Sequence, residues 1–389
     1  MLLALGLARA QPVEIPFWHV TDPPGGELLE TLAREFNQQQ TAYRILPRYV
    51  GQYREGGLKL LAALYSGSTP ALFQAELSFL GRLQSEGLAL PLDEYLGTLP
   101  PDFYPGLLEA GRVKGKTIGL PFNLTQPVLF YNADQFAAKG LAPPRTWAEF
   151  EENAARLTTR AAKGFLASAD AWSFSAVLSS RGGSLVDAKG HPTFTDPKVV
   201  ESLEMLYRMV RRGSAQSRGV AEFTFAVTDF LRTKASMVIG PLQLLPIVEK
   251  RTPVPFRLGI APLPLEPGGR VPLAGGTLAV LRGATPQQAQ GAVAFWKFLT
   301  QPQNLARWVQ TTYDLPLRRS ALGLLESFYR EDPRRQLDPG KASLSGPWIQ
   351  DPGFAYWYDY LEEALEKSLK GGVPPRKALE EAQRKALSR

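Results

Sequence analysis

Residues 14–50 read EIPFWHVTDPPGGELLETLAREFNQQQTAYRILPRYV and begin an alternation of strands and helices that sets the fold. Glu14–Trp18 is a short apolar strand, and the apolar residues of Glu27–Asn37 recur at helical spacing. Tyr43–Val50 is a second strand. The alternation continues with a helix, a third strand and a third helix over Gly57–Tyr65, Ala71–Gln74 and Phe79–Gly87. The pattern predicts an α/β fold with a mostly parallel sheet flanked by helices.

The loops that follow these strands are the first places to look for function. Ligands of open α/β sheets bind beyond the carboxyl ends of the strands. The loops are His19–Gly26, Gly51–Gly56 and Ala75–Ser78. We therefore expect binding side chains in these three segments.

The composition of the 389-residue chain excludes several kinds of site. There is no Cys, which removes disulfides, thiolate metal sites and cysteine nucleophiles. The two His residues, His19 and His191, are far apart and have no carboxylate cluster around them, which disfavours a metal site or a Ser-His-Asp triad. Because 44% of the residues are hydrophobic, the chain has enough apolar residues for two folded domains. We expect no metal and no cofactor.

Sequence motifs of enzymes are absent as well. Lys114–Thr117 resembles a phosphate-binding loop, but Ala110 stands where that loop needs its first Gly and a strand follows instead of a helix. A hairpin turn is the better interpretation. The net charge is +7, yet the densest basic groups are pairs without interleaved aromatic residues, so we expect no nucleic-acid partner. We do not expect an enzyme.

The first ten residues, MLLALGLARA, suggest export. Leu2–Ala8 is apolar, and Ala8-Arg9-Ala10 has the form of a signal-peptidase site, although a charged start is missing. We interpret residues 1–10 as the remnant of a signal peptide. No apolar run of about 18 residues is present, so we expect a soluble protein in the periplasm or another extracytoplasmic space.

Two loops can carry the chain between two domains. One is at Gln126-Pro127, at the start of a strand, and the other is the Pro/Gly-rich segment Pro262–Pro272. The last segment, Phe354–Arg389, is mostly helical and strongly charged. Helical spacing puts three of its carboxylates on a solvated face: Glu362, Glu363 and Glu366.

Five short motifs carry a resemblance to a known family. They are Ile15–His19 (IPFWH), Gly115–Asn123 (GKTIGLPFN), Pro127–Asn132 (PVLFYN), Pro144–Trp147 (PRTW) and Gly275–Leu278 (GGTL). In order and spacing, from about Glu14 to the C-terminus, the chain resembles family 1 extracellular solute-binding proteins, which serve ABC importers. It is most similar to the Ugp-type receptors for glycerol-3-phosphate.

The resemblance implies a two-lobed fold with three hinge crossings that closes around a small-molecule ligand. It implies an N-lobe of residues 11–124 and 271–318 and a C-lobe of residues 125–270 and 319–389. The partners it implies are a small-molecule ligand and the membrane permease subunits of an ABC importer. We expect the receptor to be a monomer.

Several positions match binding residues of these receptors. The resemblance implies that Tyr53 packs against the ligand's carbon chain and that Glu76 accepts hydrogen bonds from two hydroxyls. Thr125 matches a hydroxyl-bearing position. Trp172 matches the second of two pocket tryptophans, and Ala169 stands at the place of the first.

The resemblance adds a pair of glycines, and two further residues are candidates beside it. Gly275 and Gly276 match a Gly pair that lets backbone N–H groups approach a phosphate. His19 and Arg181 are additional candidates for ligand contacts.

The chain also departs from the glycerol-3-phosphate pattern. Trp348 stands where those receptors have a phosphate-binding Arg, and Asp314 replaces a Tyr, with Tyr313 one residue earlier. A carboxylate repels phosphate, and the missing Arg removes a bidentate partner, so a site for the dianionic monoester is disfavoured.

Three ligand classes stay open at this point. Trp348, Trp172 and Tyr53 would suit a glycerophosphodiester with a cationic head group such as choline, because aromatic faces attract quaternary ammonium. Aromatic platforms and carboxylates also suit an oligosaccharide, and glycerol-3-phosphate is the third class. Outside this family, a glycoside hydrolase using Glu76 and Asp314 and a cytoplasmic interaction protein are the alternatives.

Overall fold

Two five-stranded sheets covered by helices organise the structure, a computed structural model that describes residues 11–219, 223–251 and 254–388. The predicted signal-peptide remnant, residues 1–10, lies outside the described residues. The strands are β1 (Val13–His19), β2 (Tyr43–Tyr49), β3 (Leu72–Glu76), β4 (Arg112–Val113), β5 (Lys116–Thr117), β6 (Leu120–Thr125), β7 (Pro127–Asn132), β8 (Lys163–Ser168), β9 (Ala215–Arg218), β10 (Ala235–Pro241), β11 (Leu258–Ala261) and β12 (Ala274–Val280).

The helices of four or more residues cover both faces of the sheets. They are α1 (Gly25–Gln39), α2 (Tyr53–Ser66), α3 (Leu80–Ser85), α4 (Asp93–Leu96), α5 (Pro105–Glu109), α6 (Ala133–Ala138), α7 (Trp147–Leu157), α8 (Ala171–Ser180), α9 (Pro197–Arg211), α10 (Phe223–Leu231), α11 (Leu244–Arg251), α12 (Pro286–Leu299), α13 (Pro302–Thr312), α14 (Leu322–Glu331), α15 (Pro339–Ala342), α16 (Phe354–Leu369) and α17 (Pro375–Leu387).

Each sheet is mostly parallel, as predicted. The first sheet has the order β2-β1-β3-β12-β6 and the second has the order β11-β7-β10-β8-β9. In the first sheet only β12 runs against the other four strands, and in the second only β7 does. Each sheet has its own apolar core, so the molecule has two lobes.

Local sequence signals explain several helix starts and turns. The predicted hairpin turn lies between β4 and β5, where Lys114 and Gly115 have positive φ. At the start of α7 only one half of a capping box is formed. Thr146 Oγ1 accepts from Glu149 N at 3.1 Å, but the Glu149 carboxylate accepts from Arg145 N at 2.7 Å. A reciprocal capping box is present at α12, between Thr285 and its N3 residue.

The chain passes between the lobes after β6, between β11 and β12, and again near the C-terminal end. The expected return to the second lobe at residue 319 differs from the structure. Leu325 and Tyr329, one helical turn apart on α14, are buried in the first core, as is Ala342. Trp348 and Phe354 are the next residues in the second core. Amphipathic spacing in α14 predicts a buried face but does not say which lobe buries it.

A candidate ligand-binding cleft between the lobes

A cleft of about 480 Å³ is lined by residues of both lobes. Four helices begin at its wall, α1 at Gly25, α2 at Tyr53, α8 at Ala171 and α11 at Leu244. Helix N-termini carry partial positive charge and backbone N–H donors. The cleft therefore has backbone groups that favour an anionic part of a ligand.

Tyr53 belongs to a hydrogen-bonded network at the floor of the cleft. Asn123 Nδ2 donates to Tyr53 Oη at 2.8 Å, and Gln74 Nε2 donates to Asn123 Oδ1 at 2.9 Å. Gln74 Oε1 accepts in turn from Val20 N at 3.0 Å. Burial raises the pKa of Tyr53, so its hydroxyl stays neutral. The network fixes the Tyr53 ring at the start of α2.

Thr125 and Gly275 lie beside this network. Thr125 ends β6, lines the cleft, and its buried Oγ1 has no hydrogen-bond partner among the described residues. Gly275 on the neighbouring strand also lines the cleft at φ +103°, a conformation that side chains rarely adopt. Thr125 therefore offers an unused hydroxyl, and Gly275 exposes its backbone to a ligand.

Carboxylates dominate the charge of the cleft. Five of them line it against a single cation, Arg54, within the residues described. The five are Asp22, Glu76, Asp170, Asp314 and Glu362. Burial raises the pKa of Glu76, Asp314 and Glu362 to about 7 and raises the pKa of Asp170 as well. Near neutral pH, such a site attracts a cation or accepts hydrogen bonds from hydroxyls.

Asp314 is held by partners from both sides of the cleft. Its Oδ2 accepts from Trp308 Nε1 at 2.7 Å, and its Oδ1 accepts from the Gln243 amide. Only 2% of Asp314 is exposed. Gln243 immediately precedes α11 of the second lobe and Trp308 lies on α13 of the first, so the Asp314 carboxylate connects the two lobes.

Glu362 contradicts the prediction of a solvated face. It is 4% exposed and lines the cleft, and its Oε1 accepts from Ala171 N at 3.2 Å. Arg54 Nη1 lies 3.8 Å from its Oε2, across the cleft. Glu362 lies one helical turn after Tyr358, which shares the cleft-facing side of α16 and hydrogen-bonds to it. Glu363, by contrast, pairs with Lys367 at 2.8 Å.

Trp348 does not line the cleft, contrary to the expectation. Its ring packs edge-on against Phe354 at 5.2 Å and is 4% exposed. Tyr358, which packs against both Phe354 and Trp348, reaches the cleft instead. The aromatic wall of the second lobe is therefore Trp172 with Tyr358, and Trp348 supports it from within the core.

Four other predicted residues also lie outside the cleft lining. His19 is buried between Phe17 and Tyr49, 3.4 Å from the Glu30 carboxylate, and burial lowers its pKa. Tyr313 donates to Glu249 at 2.7 Å within a core cluster.

Arg181 and Gly276 have structural roles. Arg181 caps the far end of α8, about 15 Å along the helix from its cleft end, and pairs with Glu266 at 3.0 Å. A Cβ at Gly276 would lie 2.7 Å from Tyr53 Oη, so this Gly makes room for the Tyr53 network behind the cleft surface.

Sequence reasoning missed several residues that the cleft brings together. They are Asp22, Arg54, Asn123, Asp170, Gln243, Trp308, Tyr358 and Glu362. Two of them had a signal in the sequence. Arg54 lies in one of the predicted loops that follow the strands of the first sheet. Asp170 caps α8 shortly after β8, and its carboxylate accepts from Ser173 N at 2.7 Å. Tyr358 and Glu362 had only helical spacing, which does not say what the face contacts.

Two features are absent from the described residues. No helix among them is both long and apolar enough to cross a membrane. No group of three or more His, Asp or Glu side chains within the same residues is placed to hold a metal ion.

Known proteins are similar to this chain over nearly its whole length. The sn-glycerol-3-phosphate-binding periplasmic protein UgpB of Escherichia coli is 28% identical, covering 98% of this chain and 94% of that protein. The fold matches UgpB of Mycobacterium tuberculosis, solved with glycerophosphocholine, at a TM-score of 0.85 and 21% identity over 96% of this chain and 98% of that one. The fold also matches the GacH receptor of Streptomyces glaucescens, solved with acarbose, at a TM-score of 0.80 and 22% identity. This match covers 97% of this chain and 99% of that one.

A family match covers much more of the chain than any of the short motifs does. Residues 22–306, which include every strand of the two five-stranded sheets except β1 and also most of the cleft wall, match the family model of bacterial extracellular solute-binding proteins. The two-lobed architecture and the cleft between the lobes agree with that match. The chain therefore belongs to the family of bacterial extracellular solute-binding proteins.

Proposed function

We propose that this protein is the extracytoplasmic receptor of an ABC importer and that it captures a glycerophosphodiester with a cationic head group, such as glycerophosphocholine. The observation that carries the proposal is the charge of the cleft, with five carboxylates against one arginine, beside the aromatic side chains of Trp172 and Tyr358. The receptor binds its ligand as a monomer, by closure of two lobes, and delivers it to permease subunits without chemical conversion.

The charge argues against glycerol-3-phosphate as the preferred ligand. A phosphate monoester carries about two negative charges, and each ionised carboxylate that faces it weakens binding. A diester carries one negative charge, and its choline group adds a positive one. The net ligand charge is then zero, which suits a site that offers both carboxylates and helix N-termini.

The aromatic side chains support the same ligand class. Trp172, at the start of α8, and Tyr358 line the cleft with Asp170 and Glu362. Quaternary ammonium groups bind aromatic faces with about 0.5–2 kcal/mol per ring, and nearby carboxylates add attraction. We assign the head group to this end of the cleft.

The phosphate and glycerol groups have partners of their own. Arg54, the N-terminus of α2 and the exposed backbone at Gly275 can contact a singly charged phosphate. Thr125 and Glu76 can hydrogen-bond glycerol hydroxyls, since the Thr125 hydroxyl is otherwise unpartnered among the described residues.

An oligosaccharide is the second candidate. Carboxylates beside Trp172 and Tyr358 also describe a sugar subsite, and the GacH receptor with its similar fold was solved with acarbose. Stacking on a pyranose does not require a charge on the ligand. The two candidate ligands therefore differ in how strongly their binding depends on the charge of Glu362.

Calorimetric titration tests the proposal. The protein is refolded from denaturant to remove ligand retained from the expression host, then titrated with glycerophosphocholine, glycerol-3-phosphate and maltose at pH 8. We expect micromolar or tighter binding of glycerophosphocholine and at least tenfold weaker binding of glycerol-3-phosphate. Binding of maltose alone would establish the sugar alternative.

A matched pair of variants on α16 tests the role of the carboxylates. Glu362→Gln removes a charge that lines the cleft, and we expect it to weaken glycerophosphocholine about tenfold at pH 8. Glu363→Gln removes a charge from the adjacent residue, which pairs with Lys367 away from the cleft, and should leave the affinity unchanged. Equal effects of the two variants would contradict the assignment.

A further inference from the structure

The two ends of the cleft differ in chemistry. At one end lie Asp170, Trp172 and Glu362, with Arg54 opposite them at 3.8 Å from Glu362. At the other end lie the start of α11 and the start of α1. The head-group, phosphate and glycerol assignments use no side chain of α11, so its apolar side chains at the second end have no role in the proposed function as stated above.

Apolar side chains of both lobes form part of the wall at the second end, beside polar residues such as Asp22 and Gln243. The second lobe contributes Leu244, Pro246 and Ile247 of α11, and the first lobe contributes Pro23 and Pro24. None of these side chains can hydrogen-bond the glycerol, phosphate or sugar hydroxyls of a small polar ligand.

Contacts between the lobes place these residues at the same end. A Cβ at Gly25, next to Pro24, would lie 3.0 Å from Thr312 Cγ2 and 3.6 Å from Trp308. Trp308 in turn donates to Asp314, which accepts from Gln243 directly before α11.

Helix α11 is apolar on two faces. Leu245 and Val248 are buried in the core beneath it, as an amphipathic helix requires. Leu244 and Ile247, three residues apart and therefore on one face, line the cleft, and Ile247 is 37% exposed. A helix face exposed to water is normally polar, so an apolar face here indicates an apolar occupant.

This apolar face is exposed although α11 already contacts the segment that follows α13. Both ends of α11 are already tied to consecutive residues that follow α13, Gln243 to Asp314 and Glu249 to Tyr313. The space beside Leu244 and Ile247 is part of the 480 Å³ cleft while these ties are in place.

Resting on the proposed function, we propose that this end of the cleft is a subsite for a hydrocarbon substituent, so that the receptor prefers a glycerophosphodiester bearing a short acyl or alkyl group. The head group binds between Trp172 and Glu362, the phosphodiester and glycerol bind over Tyr53, and the hydrocarbon extends along Leu244 and Ile247.

Titration with a pair of ligands tests the subsite. Glycerophosphocholine is compared with its butanoyl ester, which adds a three-carbon tail to the ester carbonyl. Burial of each methylene improves affinity about fourfold, so we expect the ester to bind at least tenfold more tightly. Ile247→Ser should remove most of this gain and change the affinity for glycerophosphocholine less than twofold.

A matched variant controls for loss of surface apolar area. Leu265 is 55% exposed in a loop outside the cleft lining, and Leu265→Ser should leave both affinities unchanged. Circular dichroism and thermal unfolding of the two variants should match those of the wild type, because both side chains are partly in solvent.

The outcomes separate this inference from the proposed function. Equal or weaker binding of the ester, with glycerophosphocholine still bound, overturns the subsite and leaves the proposed function intact. An equal loss for both ligands in Ile247→Ser also overturns it, because the side chain would then act in lobe closure. No binding of either ligand overturns the proposed function and the subsite with it.

Discussion

The effect of replacing Asp314 by Asn on the free energy of unfolding should depend on pH between pH 5 and pH 8. Burial raises the pKa of Asp314 from its ordinary value of 3.8 to about 7, since the side chain is shielded from water between Trp308 and Gln243. The folded protein therefore binds a proton between pH 4 and 7 that the unfolded chain has released. The contribution of Asp314 to stability is therefore complete below about pH 4 and is lost as pH rises through about 7.

The magnitude follows from the same pKa values. One unit of pKa difference between the folded and unfolded states corresponds to 1.36 kcal/mol, so a pKa raised from 3.8 to about 7 corresponds to about 4 kcal/mol. About 3 kcal/mol of this is lost between pH 5 and pH 8. Asn cannot ionise, and it keeps both hydrogen bonds if the Gln243 amide turns to accept from it. The free energy of unfolding of Asp314→Asn, relative to wild type, should therefore rise by about 3 kcal/mol from pH 5 to pH 8.

Urea unfolding of ligand-free protein at pH 5, 6, 7 and 8 measures this difference. The raised pKa values of Glu76 and Glu362 affect wild type and variant alike and cancel in the comparison. Asp102→Asn is the control, because the pKa of Asp102 is shifted in the opposite direction: Arg318 lowers it to about 2. The stabilisation by Asp102 is therefore constant between pH 5 and pH 8, and so should be the effect of this substitution. A pH-independent difference for Asp314→Asn would refute the reasoning.

Two further pairs of variants test the cleft wall. Trp172→Ala should weaken glycerophosphocholine about tenfold by calorimetry with little change in thermal unfolding, whereas Trp348→Ala should cost about 3–5 kcal/mol of stability because its ring fills the core. The reverse pattern would contradict the placement of the two rings. Gly276→Ala brings a Cβ within 2.7 Å of Tyr53 Oη and should weaken ligand binding, while Gly57→Ala, with nothing within 4 Å, should not; equal titration curves for the two would exclude a role for Tyr53.

The fold was largely predictable because its signals are local. The strands and helices of the first lobe follow apolar periodicity, and the loops after β1, β2 and β3 contribute cleft residues, Tyr53 and Glu76 among them. A position at the carboxyl end of a strand depends on the topology of an α/β sheet, which the alternation pattern already specifies. The binding roles of these residues stay predictions.

The C-terminal half of the site was less predictable because it depends on long-range packing. Glu362 has the spacing of a solvated residue, and only the docking of α16 against Ala171 buries it. Trp348 and Tyr358 are both aromatic and near the same helix, and the core contact with Phe354 decides which of them reaches the cleft. Neither outcome is encoded in residues adjacent in sequence.

The central claim is that the acidic, aromatic end of the cleft selects a cationic head group. The most direct test compares glycerophosphocholine, by calorimetry at pH 8, with an isostere in which a quaternary carbon replaces the nitrogen, so that the head group is uncharged and the phosphate charge is kept. Shape and apolar area are the same in the two ligands, so the difference reports the charge. Attraction to Trp172, Tyr358 and the nearby carboxylates predicts at least tenfold weaker binding of the isostere. Equal affinity would contradict the account.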